Sequence, residues 1–165
     1  MEIRRARPED VPLIVPLWRG MMDEHRLWDK RFDLSAEADS ECLAQMAEML
    51  RGPDTAAFLA EEDGVVLGYL LALVLENPPM FSENKYGFIA EMAVTPEYRR
   101  QGLGRELWDR AKRWLLRKGV RSVQLNVSGS NAPGLALWNS LGFEEFLKIL
   151  WLDLDESDSA EEHAS

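Results

Sequence analysis

A stretch rich in glycine and arginine, just past the middle of the chain, carries the clearest chemistry in the sequence. Gly102 and Gly104 allow backbone angles closed to other residues, so that successive N–H groups can point into one concavity. A helical pattern begins there, and a helix N-terminus adds roughly half a positive elementary charge. The guanidinium groups of Arg99, Arg100 and Arg105 suit phosphate oxygens. The stretch therefore predicts a pyrophosphate-binding loop.

Glycines also occur in ordinary turns, and arginines also lie on solvated faces. The residue types alone therefore do not distinguish a binding loop from a surface turn. Their order favours function: an apolar strand, a turn with proline, Arg-x-x-Gly-x-Gly, and then a helix. This order resembles the acyl-CoA-binding motif of the GNAT superfamily of N-acetyltransferases, with Arg99, Gly102 and Gly104 at the motif positions. The resemblance follows the element order of nearly the whole chain, while its specific motifs lie within residues 91–143.

The resemblance implies acetyl-CoA as co-substrate and suggests which residues hold it. The strand before the loop would bind the pantetheine arm through backbone groups of Met92 and Val94. Asn126 and Asn131 stand where one asparagine contacts the cofactor in many members. The pyrophosphate would lie on main-chain N–H groups of the loop, which comprises Arg99, Arg100, Gln101, Gly102, Leu103, Gly104 and Arg105.

One position departs from the family pattern. Residues 136–143 resemble the family's Ala-x-x-Leu-Tyr-x-x-x-Gly-Phe region only loosely, and Trp138 stands where many members have a tyrosine that protonates the leaving thiolate. An indole donates a hydrogen bond but is not a usable acid. Trp138 can therefore contact the cofactor or simply pack in the core. Because thiols ionise near pH 8.5, a thiolate can also leave without that tyrosine.

Glu91 is the candidate catalytic base. It stands in an apolar stretch between Ala90 and Met92, where strand packing does not explain an acid. In the family an acid on this strand takes a proton from the amine or holds the cationic substrate, although its position varies. Two alternatives stay open: Glu91 pairs with an arginine, or the strand register turns it to the other face. Backbone N–H groups of Met92 or Val94 would then polarise the thioester carbonyl.

The acceptor wall has weaker signals. The region that often forms this wall in the superfamily contains Trp18, His25 and Trp28, which are substrate-binding candidates by resemblance only. The competing interpretation is that all three are core or interface residues. Cys42 lies in a helical pattern with no basic partner nearby in sequence, so packing is expected for it rather than nucleophilic chemistry.

The elements that must position these residues read strand, two helices, hairpin, strand, helix, strand, helix, strand. This order predicts an α/β protein with a GNAT-like fold: a central mixed, mostly antiparallel sheet with helices on both faces. Pro16 should kink the first helix or split it in two, and Ser35 should cap the second, whose apolar stripe would include Leu43. A last strand is expected over residues 145–154, and the whole of 1–154 is expected to form one acyltransferase domain.

The amino-acid composition limits the class of protein and its possible partners. The chain has 165 residues, 46% of them hydrophobic and 29% charged, with a net charge of −10, to which an acidic tail over residues 155–165, expected to be disordered, contributes strongly. An acidic surface disfavours nucleic acid and mildly attracts cations. No apolar run approaches the roughly 20 residues of a membrane span, and the start lacks a signal-peptide pattern. One cysteine and two histidines make a structural metal site implausible. A cytoplasmic protein without a metal is expected.

These observations predict an acetyl-CoA-dependent N-acetyltransferase that acts by direct attack of a primary amine, from a small molecule or a peptide. The main rival is a non-catalytic acyl-CoA-binding or sensing module, for which Trp138 is the one hint. A phosphate-loop nucleotide hydrolase is disfavoured because no glycine loop ends in Gly-Lys-Ser/Thr. The resemblance allows a homodimer, but the sequence does not identify the acceptor amine, nor acetyl as opposed to a longer acyl group.

Overall fold

A computed structural model describes residues 1–154 of the chain. Its elements, in chain order, are β1 (Glu2–Arg5), α1 (Val11–Trp28), α2 (Ala38–Arg51), β2 (Thr55–Glu62), β3 (Val65–Glu76), β4 (Lys85–Val94), α3 (Leu103–Arg117), β5 (Val123–Leu125) and α4 (Ala132–Ser140). Short 3-10 turns lie at Pro8–Asp10, Lys30–Phe32 and Pro96–Tyr98. The expected disordered tail lies outside the described residues.

The five strands form one sheet in the order β1-β2-β3-β4-β5. Neighbouring strands are antiparallel except β4 and β5, which run parallel. The hairpin between β2 and β3 turns on Asp63 and Gly64, with φ of 50° and 80°. Positive φ at both central residues is the requirement of a type I′ turn, so the Asp-Gly pair sets the register of the two most buried strands. The expected mostly antiparallel mixed sheet is confirmed.

Helices cover both faces of this sheet, as expected. The buried stripe of α3, which includes Leu107, Ala111 and Trp114, packs with Trp138 of α4 on one face. On the other face α1 and α2 pack through residues such as Ile14 and Met46. The 3.6-residue spacing of apolar side chains explains why each helix lies flat on the sheet. β3, buried by both layers, is the central strand that its nearly continuous apolar run predicts.

Three expectations about the first two helices were wrong in detail. Of the two outcomes expected at Pro16, the split is wrong: α1 is one continuous helix, in which Pro16 leaves the Pro12 carbonyl without its helical donor. Ser35 does not cap α2, which begins at Ala38 after Glu37. Leu43 is exposed, because α2 turns Cys42 and Met46 toward the sheet instead.

The expected last strand over residues 145–154 is also wrong. This segment has neither strand nor helix in the structure, and its apolar side chains are exposed. A strand-like pattern forms a strand only where a neighbouring backbone completes the hydrogen-bond ladder. β5, at one edge of the sheet, is three residues long. Apolar pattern alone therefore did not place this segment.

The core on the α3 face should dominate stability. Leu107 is fully buried, so Leu107→Ala leaves a cavity and should lower the free energy of unfolding by about 2 to 5 kcal/mol. Leu116, on the same helix, is 59% exposed, so Leu116→Ala is a matched control that should change it by no more than about 0.5 kcal/mol. Urea unfolding of both variants tests this, and equal midpoints would contradict it.

Candidate active site

A β-bulge in β4 decides where Glu91 points. Leu71 on β3 pairs with Glu91 and Ala72 pairs with Ile89, which leaves Ala90 as an extra residue. Because a bulge interrupts the alternation of side chains, residues on either side of it need not share a face. Ile89 packs in the core under α3, whereas Glu91 lies in a pocket between the sheet and the α1–α2 layer. The sequence left open which face of the sheet Glu91 occupies, and in the structure its carboxylate lies on the face covered by α1 and α2.

The same point on β4 opens the sheet toward β5. The parallel pairing of the two strands ends at Ile89 and Leu125. Beyond it, the N–H of Thr95 donates to the Leu67 carbonyl on β3 at 2.8 Å. Because backbone groups of successive strand residues point to alternate sides, those of Met92 and Val94 point away from β3. They face the gap between β4 and β5, where an extended ligand can add to the β4 edge.

The glycine-rich loop after β4 has the expected bend at its end. Arg100 and Gly102 have φ of 61° and 89°, and Gly102 is the N-cap of α3. The first bond of this helix joins the Glu106 N–H to the Gly102 carbonyl, and no side chain caps its N-terminus. The N–H groups at the start of α3 are therefore oriented outward for an anion. A side chain at Gly102 would be strained whatever space surrounds it.

The expectation that Gly104 also needs unusual backbone angles was wrong. Gly104 is helical, and its φ is not in the left-handed region. A Cβ at this position would lie 3.2 Å from Leu137 Cδ2 and 3.6 Å from Met92 Cε. Gly104 therefore lets α3 approach α4 and β4 closely. The sequence signal was right about the residue type but wrong about its cause.

Arg99 connects the loop to α1. Its Nε donates to the Val94 carbonyl at 2.9 Å, and its Nη2 lies 2.7 Å from Glu24 Oε1. Arg105 makes only long contacts of 3.5 Å with Ser140, and Arg100 is exposed. The side chain of Gln101 donates to the Glu97 carbonyl at 2.7 Å and so braces the turn. The Arg99 guanidinium is therefore already paired, and an anion at the loop would compete with Glu24 for it.

Glu91 lies in a pocket of about 280 Å³. Its lining also includes Trp18 from α1, Cys42 from α2 and two exposed carboxylates, Asp33 and Glu41. The remaining lining residues are Leu34, Ser35, Ala38 and Gln45. Carboxylates around a partly desolvated cleft produce a negative potential that attracts cations. The pocket therefore suits an amine, which is cationic before it reacts.

The Glu91 carboxylate is held by a buried tyrosine. The hydroxyl of Tyr69, a fully buried residue on β3, donates to Glu91 Oε2 at 2.7 Å. Burial raises the pKa of Glu91, while hydrogen bonds from Tyr69 and Trp18 act in the opposite direction without offsetting it. Burial and the nearby Glu91 charge raise the pKa of Tyr69 well above its ordinary value. Tyr69 therefore stays protonated and acts as a fixed donor.

Cys42 is chemically quiet in this pocket. Burial, together with the charges of Glu91 and Asp39, raises the pKa of its thiol to about 12. The reactive form of a cysteine is the thiolate, which is scarce at neutral pH when the pKa is this high. The packing role expected for Cys42 fits its surroundings, and a covalent acyl-cysteine intermediate does not.

The structure brings Trp18 to Glu91 but not the other two acceptor candidates. His25 and Trp28 do not line the pocket. His25 Nδ1 lies 2.8 Å from the Met21 carbonyl oxygen, and the ring packs edge-on against Trp28 and Phe32, with centroids 4.9 and 5.1 Å away. These contacts pack the C-terminal end of α1 against the turn that follows it. This is the structural role that was the alternative to substrate binding for His25 and Trp28.

The remaining cofactor candidates have local structural roles. Asn131 caps α4, its Oδ1 accepting from the Gly134 N–H at 2.9 Å. Trp138 is 8% exposed and packs edge-on against Trp108 and Phe143. Asn126 is exposed, one residue beyond β5. Packing explains Trp138 without a ligand, and a cofactor contact by any of these three stays a prediction.

Sequence analysis missed Tyr69 and the carboxylates at the pocket rim. A tyrosine inside the apolar β3 was an available signal, because a buried hydroxyl needs a partner. Asp33 and Glu41 gave no signal among many surface acids, since only the packing of α2 beside the turn after α1 brings them to Glu91. The bulge at Ala90 likewise left no pattern in the sequence.

The rest of the described chain offers no second candidate active site. A depression of about 370 Å³ between the chain start and α3 is lined by Met1, Ile3 and charged residues of α3, away from Glu91. Within residues 1–154 no group of three or more His, Cys, Asp or Glu side chains could hold a metal ion. No helix in the described part is long and apolar enough to cross a membrane.

Comparisons with known proteins show which family this chain is similar to. A model of the acetyltransferase (GNAT) family matches residues 18–143. Aminoglycoside N(6')-acetyltransferase type 1 of Salmonella typhimurium is 27% identical over 135 residues, which cover 81% of this chain and 88% of that protein. The ribosomal protein bS18 alanine N-acetyltransferase of Escherichia coli is 48% identical over 54 residues, 33% of this chain and 36% of that one.

Solved structures show the same fold. A tetramutant of the BH1408 protein from Bacillus halodurans superposes with a TM-score of 0.83 at 19% identity, covering 93% of this chain and 100% of that one. Aminoglycoside N-acetyltransferase AAC(6')-Iy, solved in complex with CoA, superposes with a TM-score of 0.76 at 22% identity, covering 93% of each chain.

The partly buried Glu91 carboxylate should destabilise the protein at neutral pH. Because its pKa is raised in the folded state, the folded state binds the proton more tightly, and stability falls as pH rises from 4.5 through the raised pKa. Glu91→Gln removes this loss and can still accept from Tyr69. The variant should gain stability over the wild type as pH rises from 4 to 8.

Urea unfolding at several pH values measures the difference. Glu48→Gln, at an exposed carboxylate on α2, is the control and should show no such trend. A difference between Glu91→Gln and wild type that does not change with pH would contradict the buried-carboxylate argument.

Proposed function

Because the chain belongs to the GNAT family of acetyltransferases, we propose that it is an N-acetyltransferase whose acceptor amine enters the pocket at Glu91. The transfer uses acetyl-CoA and a primary amine. The observation that carries the proposal is the bulge in β4. It points Glu91 into an acidic pocket while Met92 and Val94, on the same strand, face the gap toward β5. One strand thus serves both substrates.

The residues around the loop fit a coenzyme A donor. Outward N–H groups at the start of α3, the open space beside Gly102 and the Arg99 guanidinium suit a pyrophosphate. The β4 edge at Met92 and Val94 suits the amide groups of a pantetheine arm, as an added strand would. Thr95 Oγ1, buried at the end of this edge, has no partner among the described residues. When bound, acetyl-CoA supplies an activated acetyl thioester.

The acceptor amine has to lose a proton before it can attack. For an amine with a pKa near 10.4, the protonated form exceeds the neutral form by more than about a thousandfold at pH 7. Freeing the lone pair therefore costs roughly 4 to 5 kcal/mol. Glu91, directly or through one water, takes the proton, and its raised pKa makes it a stronger base than an exposed glutamate. Tyr69 and Trp18 hold the carboxylate in one orientation.

The bond changes then follow in one direct displacement. Once Glu91 has passed the first proton of the ammonium group on to water, the amine nitrogen forms a bond to the acetyl carbon, the carbon–sulfur bond breaks, and the second nitrogen proton goes to Glu91. The backbone N–H of Met92 or Val94 stabilises the negative oxygen of the intermediate. The thiolate takes its proton from water, because Trp138 is buried and is not an acid. Cys42, with its raised pKa, takes no part.

The acceptor should be a cationic amine of small cross-section at its reactive end. Support comes from the pocket of about 280 Å³ and from the carboxylates Asp33 and Glu41 beside Glu91. The relatives' names cover both an aminoglycoside N(6')-acetyltransferase and a ribosomal-protein alanine N-acetyltransferase. A second cationic group on the substrate would find Glu41 at the rim, beside Asp33, which pairs with Arg26 at 3.1 Å; this favours a small polycationic amine over a neutral one.

Further parts of the proposal rest on the sequence. Residues 1–154 act as one acyltransferase domain, without a metal and without nucleic acid or a membrane as partner. The protein works in the cytoplasm, which suits its single unpaired cysteine. Trp18, His25 and Trp28 remain the proposed acceptor wall, of which Trp18 alone has pocket geometry in support. The rival, a non-catalytic sensor, leaves the buried Glu91–Tyr69 pair without a purpose.

Thiol release from acetyl-CoA against a panel of amines tests the function. The panel should include aminoglycosides, diamines, amino acids and peptides with free N-termini. We expect release with at least one cationic amine and a rate that falls as the pH drops through the raised pKa of Glu91. Glu91→Gln should lower kcat by about 10²-fold or more and remove this pH dependence, with unchanged acetyl-CoA binding.

Glu48→Gln serves again as the control and should retain wild-type turnover. Tight acetyl-CoA binding with no release on any amine would favour the sensor. Equal rates for Glu91→Gln and wild type from pH 6 to 9 would remove Glu91 from the mechanism while leaving the acetyltransferase activity intact.

Arg99 and its partner Glu24 give a separate test of the donor site. Arg99→Ala should weaken coenzyme A binding by about 10- to 100-fold, the range of a lost hydrogen bond to a charged group. Glu24→Gln should bind at least as tightly as wild type, because Arg99 no longer has to leave an ion pair. Arg110→Ala, at an exposed position on α3, is the control. Isothermal titration with coenzyme A measures all three, and unchanged binding by Arg99→Ala would contradict the assignment.

A further inference from the structure

The outward side of α3 concentrates positive charge in an otherwise acidic chain. Residues 110–143 contain six Arg or Lys and no Asp or Glu, although the net charge of the whole chain is −10. Side chains three or four residues apart on a helix lie on the same side of it. This spacing groups five exposed residues of α3, which we define as the basic face: Arg110, Lys112, Arg113, Leu116 and Arg117.

The cations of the basic face have no carboxylate partner among residues 1–154. Glu106 and Asp109 precede Arg110 and Arg113 by four residues, a spacing at which ion pairs often form, yet neither pair is made in the described structure. Arginines on β1, α1 and α2, by contrast, pair with carboxylates at 2.7 to 2.8 Å. The basic face therefore presents positive charge that the described part of the chain leaves unneutralised.

The stability of α3 does not explain this charge. The buried stripe of the helix holds it on the sheet, and the helix dipole favours a cation only near the C-terminal end, where Arg117 lies. Arg110 and Arg113 lie further back in the helix. Like charges three or four residues apart repel each other and disfavour the helix that carries them. The arrangement therefore points to a binding partner outside the described chain.

The basic face is separate from both proposed substrate sites. α3 lies on the opposite side of the sheet from α1 and α2, which enclose the pocket at Glu91. Arg110 follows Gly102 by eight residues, so it lies about 12 Å along the helix axis from the loop proposed to bind the donor. A ligand on this face is therefore a third component, different from acetyl-CoA and from the acceptor amine.

The chemistry of the basic face suits a helix that carries carboxylates. A guanidinium group matches a carboxylate with two parallel hydrogen bonds. The cations span about 10 Å of helix from Arg110 to Arg117 and recur at intervals of three and four residues. A second helix with Asp or Glu at the same intervals can pack alongside and meet each arginine. Leu116, 59% exposed among these cations, supplies an apolar contact that such a partner would bury.

Nucleic acid fits this face less well than an acidic helix. A duplex carries about one negative charge per 1.7 Å of its axis, and this charge continues beyond any binding site. The basic face ends after about 10 Å of helix. Around it, the chain is acidic enough to reach a net charge of −10 overall. A long polyanion would be repelled by that surface, whereas a short acidic helix ends where the basic face ends.

We propose that the basic face of α3 is a docking surface for an acidic amphipathic helix of a partner protein. Carboxylates of the partner pair with Arg110, Arg113 and Arg117, and an apolar side chain between them covers Leu116. The docked helix leaves the pocket at Glu91 and the glycine-rich loop open. Binding of the partner and acetyl transfer therefore do not exclude each other.

Fluorescence anisotropy with designed peptides gives the first test. The probe is a labelled helical peptide of about five turns, roughly 18 residues, with Glu spaced three and four residues apart on one side and a Leu between them. The control peptide has the same composition, with its Glu residues distributed around the helix. The full-length protein should bind the probe about 10-fold or more tightly than the control peptide, and more tightly than a single-stranded oligouridylate of equal charge.

Two outcomes of this measurement would contradict the docking surface. Equal binding of the two peptides would mean that the basic face attracts negative charge without recognising a helix. Tighter binding of the oligouridylate than of the probe would identify the surface as one for nucleic acid.

Charge reversal locates the contact on α3. The double variant Arg113→Glu with Arg117→Glu should weaken binding of the probe by about 10-fold or more, because attraction becomes repulsion. Lys30→Glu with Lys148→Glu makes the same change in net charge at two exposed lysines away from α3 and should bind within about twofold of the wild type. A probe with Lys in place of Glu should bind the Arg113→Glu, Arg117→Glu protein better than the wild type. Unchanged binding by this protein, or no rescue by the Lys probe, would overturn the proposal.

Titration with coenzyme A separates the basic face from the donor site. The Arg113→Glu, Arg117→Glu protein should bind coenzyme A as tightly as the wild type, and circular dichroism should show that it is folded. Loss of coenzyme A binding by the folded variant would assign these arginines to the donor site and overturn the docking surface. Peptide binding does not depend on turnover, so a protein that binds the probe but acetylates no amine would contradict the proposed function alone.

Discussion

The site depends on the interruption of β4 at Ala90. Up to Ile89 this strand is hydrogen-bonded on both sides, to β3 and to β5, and its side chains serve the core. After the bulge it is bonded to β3 on one side while its other edge faces the gap toward β5. The one extra residue therefore separates a structural half from a functional half. Strand continuity beyond Ile89 would have paired the edge at Met92 and Val94 with β5 and left no place for a ligand strand.

The bulge also makes the burial of Glu91 necessary, and the surroundings show how this cost is limited. A carboxylate in the α1–α2 layer is desolvated, which raises its pKa, but it accepts hydrogen bonds from Tyr69 and Trp18. The two donors come from β3 and α1, so the orientation of the carboxylate is fixed by both layers. The result is a base that is stronger than an exposed glutamate. Stability is given up locally for this chemistry.

The predictable parts of the fold and the site share a cause. β3, α3 and the Asp-Gly hairpin were predictable because hydrophobic period and turn chemistry are local properties of the chain. Gly102 was predictable as a backbone requirement. Tyr69, Asp33 and Glu41 come to Glu91 only through packing between distant elements, so no local pattern could place them. The strand predicted over residues 145–154 is absent, because an apolar pattern forms a strand only beside a neighbour that completes its hydrogen bonds.

The ion pair between Arg99 and Glu24 couples the two halves of the proposed site. Arg99 belongs to the loop that would hold the donor, whereas Glu24 lies on α1, the helix that brings Trp18 to Glu91. A pyrophosphate that draws Arg99 away would release the last turns of α1 from the loop. Since both groups are partly exposed, the pair itself contributes little to stability, and this release would cost little. Exchange of this ion pair for a pyrophosphate therefore changes the contacts of α1 beside the acceptor pocket at little cost in stability.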